Sequence, residues 1–444
     1  MKQAILYVFA AFWSAGVQAQ DVWTMQRCMR YAVEHNHEVR RAELELDKYK
    51  ADRTGAVGRL LPEVTAGVGA QYNFGRAIDP ETNVYTDVST FYNRYSLSAS
   101  LPVFDGFSRL HALKAAKASV LMGHQAFRQK QNQVALSVLQ AFVNVVYYEG
   151  LVKMAREKRA ESALLLQQTR VMEEVGRKSA TDVAQVESQQ AEADYELTRQ
   201  QHLLASALLE LKKTMAFPLR DSLRIENIPT VGTLCSQRGT VMFPPWDYSS
   251  GLELSPELQA VRYQMLASKH EWRQARAAFF PTLSLSAGLN TAFNHTLHAG
   301  TSQPFHSQFK NNMGEYVGAT LSIPLFNRLQ TVTSIRRARD NYRIACENYA
   351  QKRLELEKLS REAWQDWQGY LKQTRQMEHK VEADSMAYRL THRQFEEGLA
   401  TAIDLHTTSS QLLKSKATLL QCRLMAIVKE QLVRYYNGEQ IWTE

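Results

Sequence analysis

The stretch Tyr95–Phe104 reads YSLSASLPVF and decides the fold, because its side chains alternate between two chemical types. Every second residue from Tyr95 to Val103 is apolar, and the residues between them are three serines and one proline. Successive side chains of a β-strand point to opposite faces of the sheet. The stretch therefore predicts a strand with one apolar face and one face of small polar residues.

Three further stretches share this alternation: Val64–Phe74, Leu283–Leu289 and Val317–Leu325. None of the four stretches contains Lys, Asp or Glu, which a soluble sandwich would carry on its outward face. Apolar residues outside and small polar residues inside are typical of a transmembrane barrel strand. Aromatic residues near the strand ends predict a girdle at the membrane interfaces, formed by Phe74, Tyr92, Tyr95, Phe104, Phe280 and Phe326.

Four strands are too few to enclose a barrel, since the smallest membrane barrels have about 8. Lipid does not tolerate an open sheet edge, because each unpaired backbone group there costs several kcal/mol. We therefore expect one chain to pool its strands with copies of itself. The pattern alone leaves the number of copies open. After the N-terminal leader, no run of about 18 uninterrupted apolar residues predicts a membrane-spanning helix.

The chain contains an internal duplication. The tetrapeptide LPVF at 101–104 returns as IPLF at 323–326, and Gly176 returns as Gly398, in both cases 222 residues later (398 − 176). Each half predicts the same order of elements: helix, strand, loop, strand, very long helix, turn and returning helix. Recurrence of landmarks in one order and at one spacing favours a single unit written twice.

The predicted boundaries follow from this repeat. Residues 1–19 read as a signal peptide, with Lys2, an apolar stretch and a small-x-small cleavage site. The first repeat covers 20–216, with strands near 62–75 and 93–104, a long helix near 107–175 and a return helix near 179–214. An irregular linker covers 217–255, because prolines and glycines recur there. The second repeat covers 256–444, with strands near 281–294 and 315–326, a long helix near 329–397 and a return helix near 401–437.

The two long helices carry apolar residues at steps of three and four, which keep one seam facing a neighbouring helix. Val134, Val138 and Val145 belong to this seam in the first copy. Gly176 and Gly398 predict C-caps, since glycine adopts the left-handed conformation without a steric penalty. Thr401, and either Ser179 or Thr181, predict N-caps of the returning helices.

The remaining chemistry is sparse. The formal charge is +8, but basic and acidic residues are interspersed, so we expect no nucleic-acid partner. No catalytic, metal-binding or cofactor motif occurs, and we predict neither an enzyme nor a metalloprotein. Among the four cysteines, a disulfide between Cys28 and Cys235 is one possibility and buried free thiols are the other.

The ordered pairs of motifs resemble the TolC-like outer membrane factor family over the whole mature chain. The strand starts LPEVT and FPTLS, the strand exits LPVFDG and IPLFNR, and the turns EVGRKSATDV and EEGLATAIDL carry the resemblance. The loop Phe74–Pro80 is similar to the Bacteroidetes branch of that family. The resemblance implies a mainly α protein with a transmembrane β-barrel part: a homotrimer with a 12-stranded barrel in the outer membrane and a helical tunnel in the periplasm.

The resemblance also implies a function and its residues. The channel would be the exit duct of a tripartite efflux system for small molecules, reached through an inner-membrane pump and a periplasmic adaptor. Asp404 and Asp182 would line the periplasmic aperture, unless they only stabilise helix starts. The turns at Gly176, Arg177, Gly398 and Leu399 would contact the adaptor. Two alternatives stay open: an exit duct for type I protein secretion, and a non-conducting coiled coil that tethers envelope layers.

Overall fold

The computed structural model describes residues 22–78, 83–87, 89–226, 248–297 and 303–442, and the chain divides into two compact units. The first unit comprises the described residues of Met1–Glu43, Ala126–Leu258 and Lys352–Glu444, and it is helical. The second comprises Leu44–Gln125 and Gln259–Gln351 and contains the sheets. The predicted signal peptide at 1–19 lies outside the described residues.

Each half of the chain supplies the same main elements. The first half contains α1 (Met25–His35), α2 (His37–Gly58), β1 (Glu63–Asn73), β2 (Arg76–Ile78), β3 (Tyr85–Asp87), β4 (Thr90–Phe104), α3 (Ser108–Glu174) and α4 (Ala180–Met215). The second half contains α5 (Tyr248–Leu254), α6 (Pro256–Ala277), β5 (Thr282–Thr296), α7 (Phe305–Asn311), β6 (Gly314–Ser322), α8 (Gln330–Glu396) and α9 (Ala402–Tyr436). The repeated order confirms the predicted duplication and the mainly α fold.

The four long strands form one antiparallel sheet in the order β1-β4-β5-β6, so the two halves meet where β4 pairs with β5. The register aligns apolar residues across the sheet: Ala99 lies opposite both Val64 and Ala287, and Ala287 lies opposite Val317. In the next row Ser98 lies opposite Thr65, and their hydroxyls are 2.8 Å apart. The predicted separation into an apolar and a polar face is confirmed.

The apolar face of the sheet is exposed rather than packed on a core. The side chain of Val68 is 75% exposed and that of Val317 is 87% exposed. Such a face would be unfavourable in water, because every buried Å² of apolar surface stabilises by about 25 cal/mol. Within the described chain, β1 and β6 each have one paired neighbour, so the sheet also ends in two open edges.

Two loop features are absent from the sequence prediction. Strands β2 and β3 form a small antiparallel hairpin between β1 and β4. Helix α7 lies along the part of β5 that extends beyond β6. There the buried side-chain amide of Gln308 accepts a hydrogen bond from the Asn294 N–H and donates one to the Asn294 carbonyl, both at 2.9 Å. The amide thus replaces a neighbouring strand at this edge.

The main core of the helical unit gathers around the middle of α3. Phe142, Val138 and Leu139 are fully buried there, together with residues of α1 and α4. The predicted seam residues Val134 and Val145 belong to the same cluster. By length and composition α3 could cross a membrane, although half of its apolar window is buried. Helix α3 contains no uninterrupted apolar run of about 18 residues, and an apolar core helix passes the same test of length and composition.

The connection from β4 into α3 requires glycine. Gly106 has φ +65°, and a Cβ there would stand 2.8 Å from the Ala277 carbonyl oxygen and 2.8 Å from the Phe280 Cβ. Just beyond the turn, the Arg109 guanidinium pairs with Asp105 at 2.9 Å and donates to the carbonyl of Arg59 at 3.0 Å. The turn is therefore held by packing and by a half-buried ion pair.

Three predicted features need correction. The N-terminal helix of the first repeat is broken at Asn36, whose side-chain oxygen accepts from the Glu38 N–H and whose amide donates to the Thr214 carbonyl. The segment 217–255, predicted to be irregular, contains the helix α5, while 227–247 lie outside the described residues. Strand β6 ends at Ser322, before the predicted 326, because its partner strand β5 begins at Thr282, the residue opposite Ser322.

Cys28 is buried in the main core and forms no disulfide with a described residue, so the possible disulfide with Cys235 stays a prediction. Its expected partner Cys235 lies outside the described residues. Burial raises the pKa of the Cys28 thiol to about 12. The thiol is therefore protonated at neutral pH and unreactive. The described residues contain no cluster of three or more His, Cys, Asp or Glu side chains that could hold a metal ion.

Candidate functional site

The two long helices end in matching turns. Gly176 has φ +76° and Gly398 has φ +81°, the left-handed conformation predicted for these glycines. In each turn the glycine N–H donates a hydrogen bond to the carbonyl three residues back, and the next N–H donates to the carbonyl five residues back. The donors and acceptors are Gly176 to Glu173, Arg177 to Met172, Gly398 to Phe395 and Leu399 to Gln394. This pair of backbone hydrogen bonds defines a Schellman motif.

The return helices begin with identical capping boxes. Ser179 accepts from the Asp182 N–H, while the Asp182 carboxylate accepts from the Ser179 N–H at 3.0 Å and from its hydroxyl at 2.8 Å. Thr401 and Asp404 repeat the arrangement at 3.0 Å and 2.7 Å. Ser179 and Thr401 are thus confirmed as the caps. Both aspartates complete their hydrogen bonds within their own turns.

These hydrogen bonds lower the pKa of both aspartates. The Thr401 hydroxyl and backbone N–H donate to Asp404 and lower its pKa below the ordinary 3.8. The Ser179 backbone and hydroxyl do the same for the pKa of Asp182, helped by the positive charge of Lys178. Both carboxylates are therefore ionised at neutral pH. Asp404 is exposed and Asp182 is half-buried.

A small apolar cluster lies behind the turns and joins the two hairpins. It contains Leu165, Val186, Phe395, Ala402 and Leu405. The ammonium group of Lys178 lies 4.2 Å from the centre of the Phe395 ring, a cation–π contact between one turn and the long helix of the other repeat. The turns are consequently positioned by packing, whereas their tips stay exposed.

The tip surface itself is exposed and partly apolar. Gly176, Arg177 and Gly398 are exposed, and the side chain of Leu399 is 77% exposed. Val175 and Ile403 are also exposed beside them. The four residues predicted to contact an adaptor therefore lie at an accessible tip, where a partner could bind.

Polar contacts between helices, which sequence reasoning missed, lie behind the tips. The Lys158 amine on α3 donates to the Ser409 hydroxyl on α9 at 2.5 Å. Burial lowers the pKa of Lys158, although the nearby charges of Glu161 and Glu192 oppose the shift. Lys158 and Ser409 border a cavity of about 140 Å³ together with Tyr388 and Leu412. Lys158 and Ser409 are 251 positions apart, so no local sequence pattern predicts their contact. The packing of the helices brings them together.

The predicted girdle residues divide between the faces of the sheet. Tyr95 packs edge-on against Phe309 of α7, with ring centres 5.4 Å apart, on the apolar face. Phe74, Phe280 and Phe326 are exposed. Tyr92 does not belong with them. It lies opposite Gln71 in β1, and side chains alternate along β4, so Tyr92 is on the polar face.

Further aromatic residues, outside the predicted girdle, enlarge the apolar face near the loops. Tyr72 and Phe91 pack with ring centres 4.6 Å apart. Phe293 and Phe305 pack with ring centres 5.3 Å apart. Phe305 and Phe309 come from a loop helix that the alternation pattern does not reveal. The alternation of Val64–Phe74 already places Tyr72 on the apolar face, and extending the alternation to the strand ends would have found Phe91 and Phe293.

An exposed apolar sheet face with open edges, in a chain that also contains two pairs of long helices, defines a class of membrane β-sheet proteins. The chain belongs to the family described as outer membrane efflux protein, whose sequence model matches residues 29–216 and 248–437. The two matched segments correspond to the two halves of the duplication. The chain is thus an outer-membrane efflux protein.

Individual relatives extend over nearly the whole chain. The alkaline protease secretion protein AprF of Pseudomonas aeruginosa is 21% identical, over 99% of this chain and 89% of AprF. The probable efflux pump outer membrane protein TtgC of Pseudomonas putida is 24% identical, over 91% of this chain and 81% of TtgC. The names of these two relatives point to secretion and to efflux, respectively.

Solved structures show the same fold. CusC superposes with a TM-score of 0.81 at 16% identity, covering 94% of this chain and 92% of CusC. The outer-membrane channel OprN superposes with a TM-score of 0.79 at 17% identity, covering 94% of this chain and 91% of OprN. The fold is therefore that of the outer-membrane channels.

Proposed function

We propose that three copies of this chain form one channel through the outer membrane, with their twelve long strands closed into a barrel. The sheet supports this proposal most directly, because it combines an exposed apolar face with two open edges. Lipid can cover the face but cannot pair the edges, so β1 of one copy must pair with β6 of the next. Three copies follow from the family resemblance.

The proposed activity is passive conduction in a tripartite efflux system. An inner-membrane pump delivers small toxic molecules or drugs through a periplasmic adaptor, and the channel carries them out without catalysing a reaction. The name of TtgC, an efflux pump outer membrane protein, supports this activity. The exposed tips at Gly176, Arg177, Gly398 and Leu399 would be the adaptor contact.

The capping aspartates would form the periplasmic aperture. In a trimer Asp182 and Asp404 each give a ring of three ionised carboxylates, and such rings favour cations over anions. The capping boxes support this role, because they hold both carboxylates at fixed places in their turns. Opening would separate the hairpins at the small cluster behind the turns, a change of packing.

Conduction is tested in a planar lipid bilayer. The purified protein should insert and give discrete single-channel steps, and the particles that conduct should contain three chains. A protein that inserts without any conductance would instead support the alternative of a structural tether. A protein that never enters the bilayer would overturn the membrane assignment of the sheet.

A second function, an exit duct for protein secretion, is favoured by the likeness to AprF, a protein named for alkaline protease secretion. The two functions differ in cargo and can be separated in a deletion strain. Loss of efflux should cause dye accumulation in the cells while secreted proteins stay at their normal level. A drop in one secreted protein with unchanged dye retention would favour secretion.

A further inference from the structure

The polar face of the sheet carries one basic residue that the surrounding pattern does not explain. Arg94 lies in β4 opposite Gly69 of β1 and Ala292 of β5. It shares a face with Ser96 and Ser98, two and four residues further along the strand. The other charged residue on this face of the four paired strands is Glu63, at the opposite end of the sheet.

The guanidinium of Arg94 is exposed, and its described contacts are with Tyr92. Its nearest described partner is the Tyr92 ring, whose centre lies 5.6 Å from the guanidinium carbon; the Tyr92 hydroxyl lies 3.4 Å from a guanidinium nitrogen. Within the described part of the chain, no carboxylate forms an ion pair with Arg94. A Cβ at Gly69 would meet no atom within 4 Å, so the space beside Arg94 is open.

The nearest opposite charge on this face is too distant to neutralise Arg94. Glu63 is six residues from Gly69 along β1, which corresponds to about 20 Å at about 3.4 Å per residue. At an ionic strength of 0.1 M, charges are screened over about 10 Å. Arg94 and Glu63 therefore act on separate sections of the same face.

The place of Arg94 along the strand determines which end of a barrel it would affect. Strand β4 begins at Thr90, next to the β2–β3 loop, and ends at Phe104, where the chain turns into α3. Arg94 is four residues from the loop end. In a channel whose helices extend into the periplasm, the loop end is the outer mouth.

We propose that Arg94 is a specificity-determining residue that gives the outer mouth of the channel a preference for anions. This inference rests on the proposed trimeric barrel, in which the polar face lines the pore and three copies of Arg94 form a ring. Rings of Arg or Lys side chains select anions, as rings of carboxylates select cations. The cargo favoured at this point is a small anionic molecule.

The test is the reversal potential of the channel in a planar bilayer under a gradient of potassium chloride. Arg94→Gln should lower the chloride-to-potassium permeability ratio by at least about two-fold, and Arg94→Glu should lower it further, because the ring charge is removed or inverted. Arg94→Lys should keep the ratio of the natural protein. The effect should shrink as the salt concentration rises.

Arg53→Gln is the matched control, because Arg53 is an exposed residue of α2 and lies outside the sheet. It should leave the ratio unchanged. Equal ratios for the natural protein, Arg94→Gln and Arg94→Glu, in channels of normal conductance, would overturn the role of Arg94 while leaving the channel intact. Failure of the natural protein to conduct would instead refute the proposed function.

Discussion

At the scale of single residues, the tip aspartates combine two roles in one carboxylate. One oxygen of Asp404 accepts hydrogen bonds from both the N–H and the hydroxyl of Thr401. The same group remains exposed at the tip, where it can act on passing ions. The structural role therefore does not exclude the proposed aperture role, and the two can be separated by substitution.

Asp404→Asn removes the charge but keeps an oxygen that can accept the two bonds from Thr401. We expect the potassium-to-chloride permeability ratio of the channel to fall, because a carboxylate ring is lost. Bilayer recordings measure this ratio. The matched variant Asp182→Asn tests the other ring. Unchanged selectivity in both variants would remove these residues from the aperture.

The lowered pKa of Asp404 gives its turn a pH dependence. A carboxyl group whose pKa is lower in the folded state stabilises that state above its unfolded pKa, and this contribution is lost as the pH falls through the folded pKa. Hydrogen exchange of the peptide 398–405, corrected for intrinsic rates, should show weaker protection at about pH 3 than at about pH 5.

Asp404→Asn is the control for this exchange measurement, since it has no group that titrates at the position. Its protection should not change between the two pH values. An equal loss of protection in the natural protein and in Asp404→Asn would show that another group governs the turn.

The glycines of the turns allow a test of backbone conformation. Gly398→Ala forces a Cβ into the left-handed region and should cost about 1 kcal/mol of stability. Gly369→Ala, inside α8, meets no atom within 4 Å and should stabilise by about 0.5–1 kcal/mol. Urea unfolding followed by far-ultraviolet circular dichroism compares them. Destabilisation of both to the same degree would contradict the assigned turn.

At the scale of elements, the contact between α3 and α9 depends on the half-buried amine of Lys158. The Lys158 side chain is only 19% exposed, and its described hydrogen bond goes to Ser409. The nearest carboxylate oxygen, that of Glu161, is 3.9 Å away. Loss of the Ser409 hydroxyl would therefore leave a poorly solvated donor.

Ser409→Ala should destabilise the protein by about 1–3 kcal/mol, because the Lys158 amine loses its acceptor. Lys158→Met should cost less, since methionine fills similar space without a charge. The double variant should be more stable than Ser409→Ala alone, and urea unfolding of the four proteins measures the coupling. Additive effects of the two substitutions would show that this hydrogen bond does not couple the helices.

How far the sequence predicts these elements depends on the range of the interactions. The four long strands, the capping residues Ser179 and Thr401 and the glycine turns follow from local patterns, and the structure confirms them. The break at Asn36 depends on a bond to Thr214, 178 residues away, and the α7 edge contact depends on Gln308 reaching Asn294. Closeness to a strand end predicts Tyr92 for the girdle, but its position in the alternation places it on the polar face.

At the scale of the whole molecule, the proposed channel depends on what covers the sheet. The described chain leaves the apolar face of β1 and β6 exposed and their outer edges unpaired. Lipid is the apolar solvent that suits the face, and further copies of the chain supply the missing strands. The efflux function, the aperture and the role of Arg94 all presuppose this closure.

Native mass spectrometry of the detergent-purified protein measures this closure most directly, because it counts the chains in one particle. We expect the mass of three chains in the particle that is left after the detergent micelle is removed in the gas phase. A particle of one chain that stays soluble without detergent would contradict the shared barrel, since its sheet would then need neither lipid nor neighbouring strands.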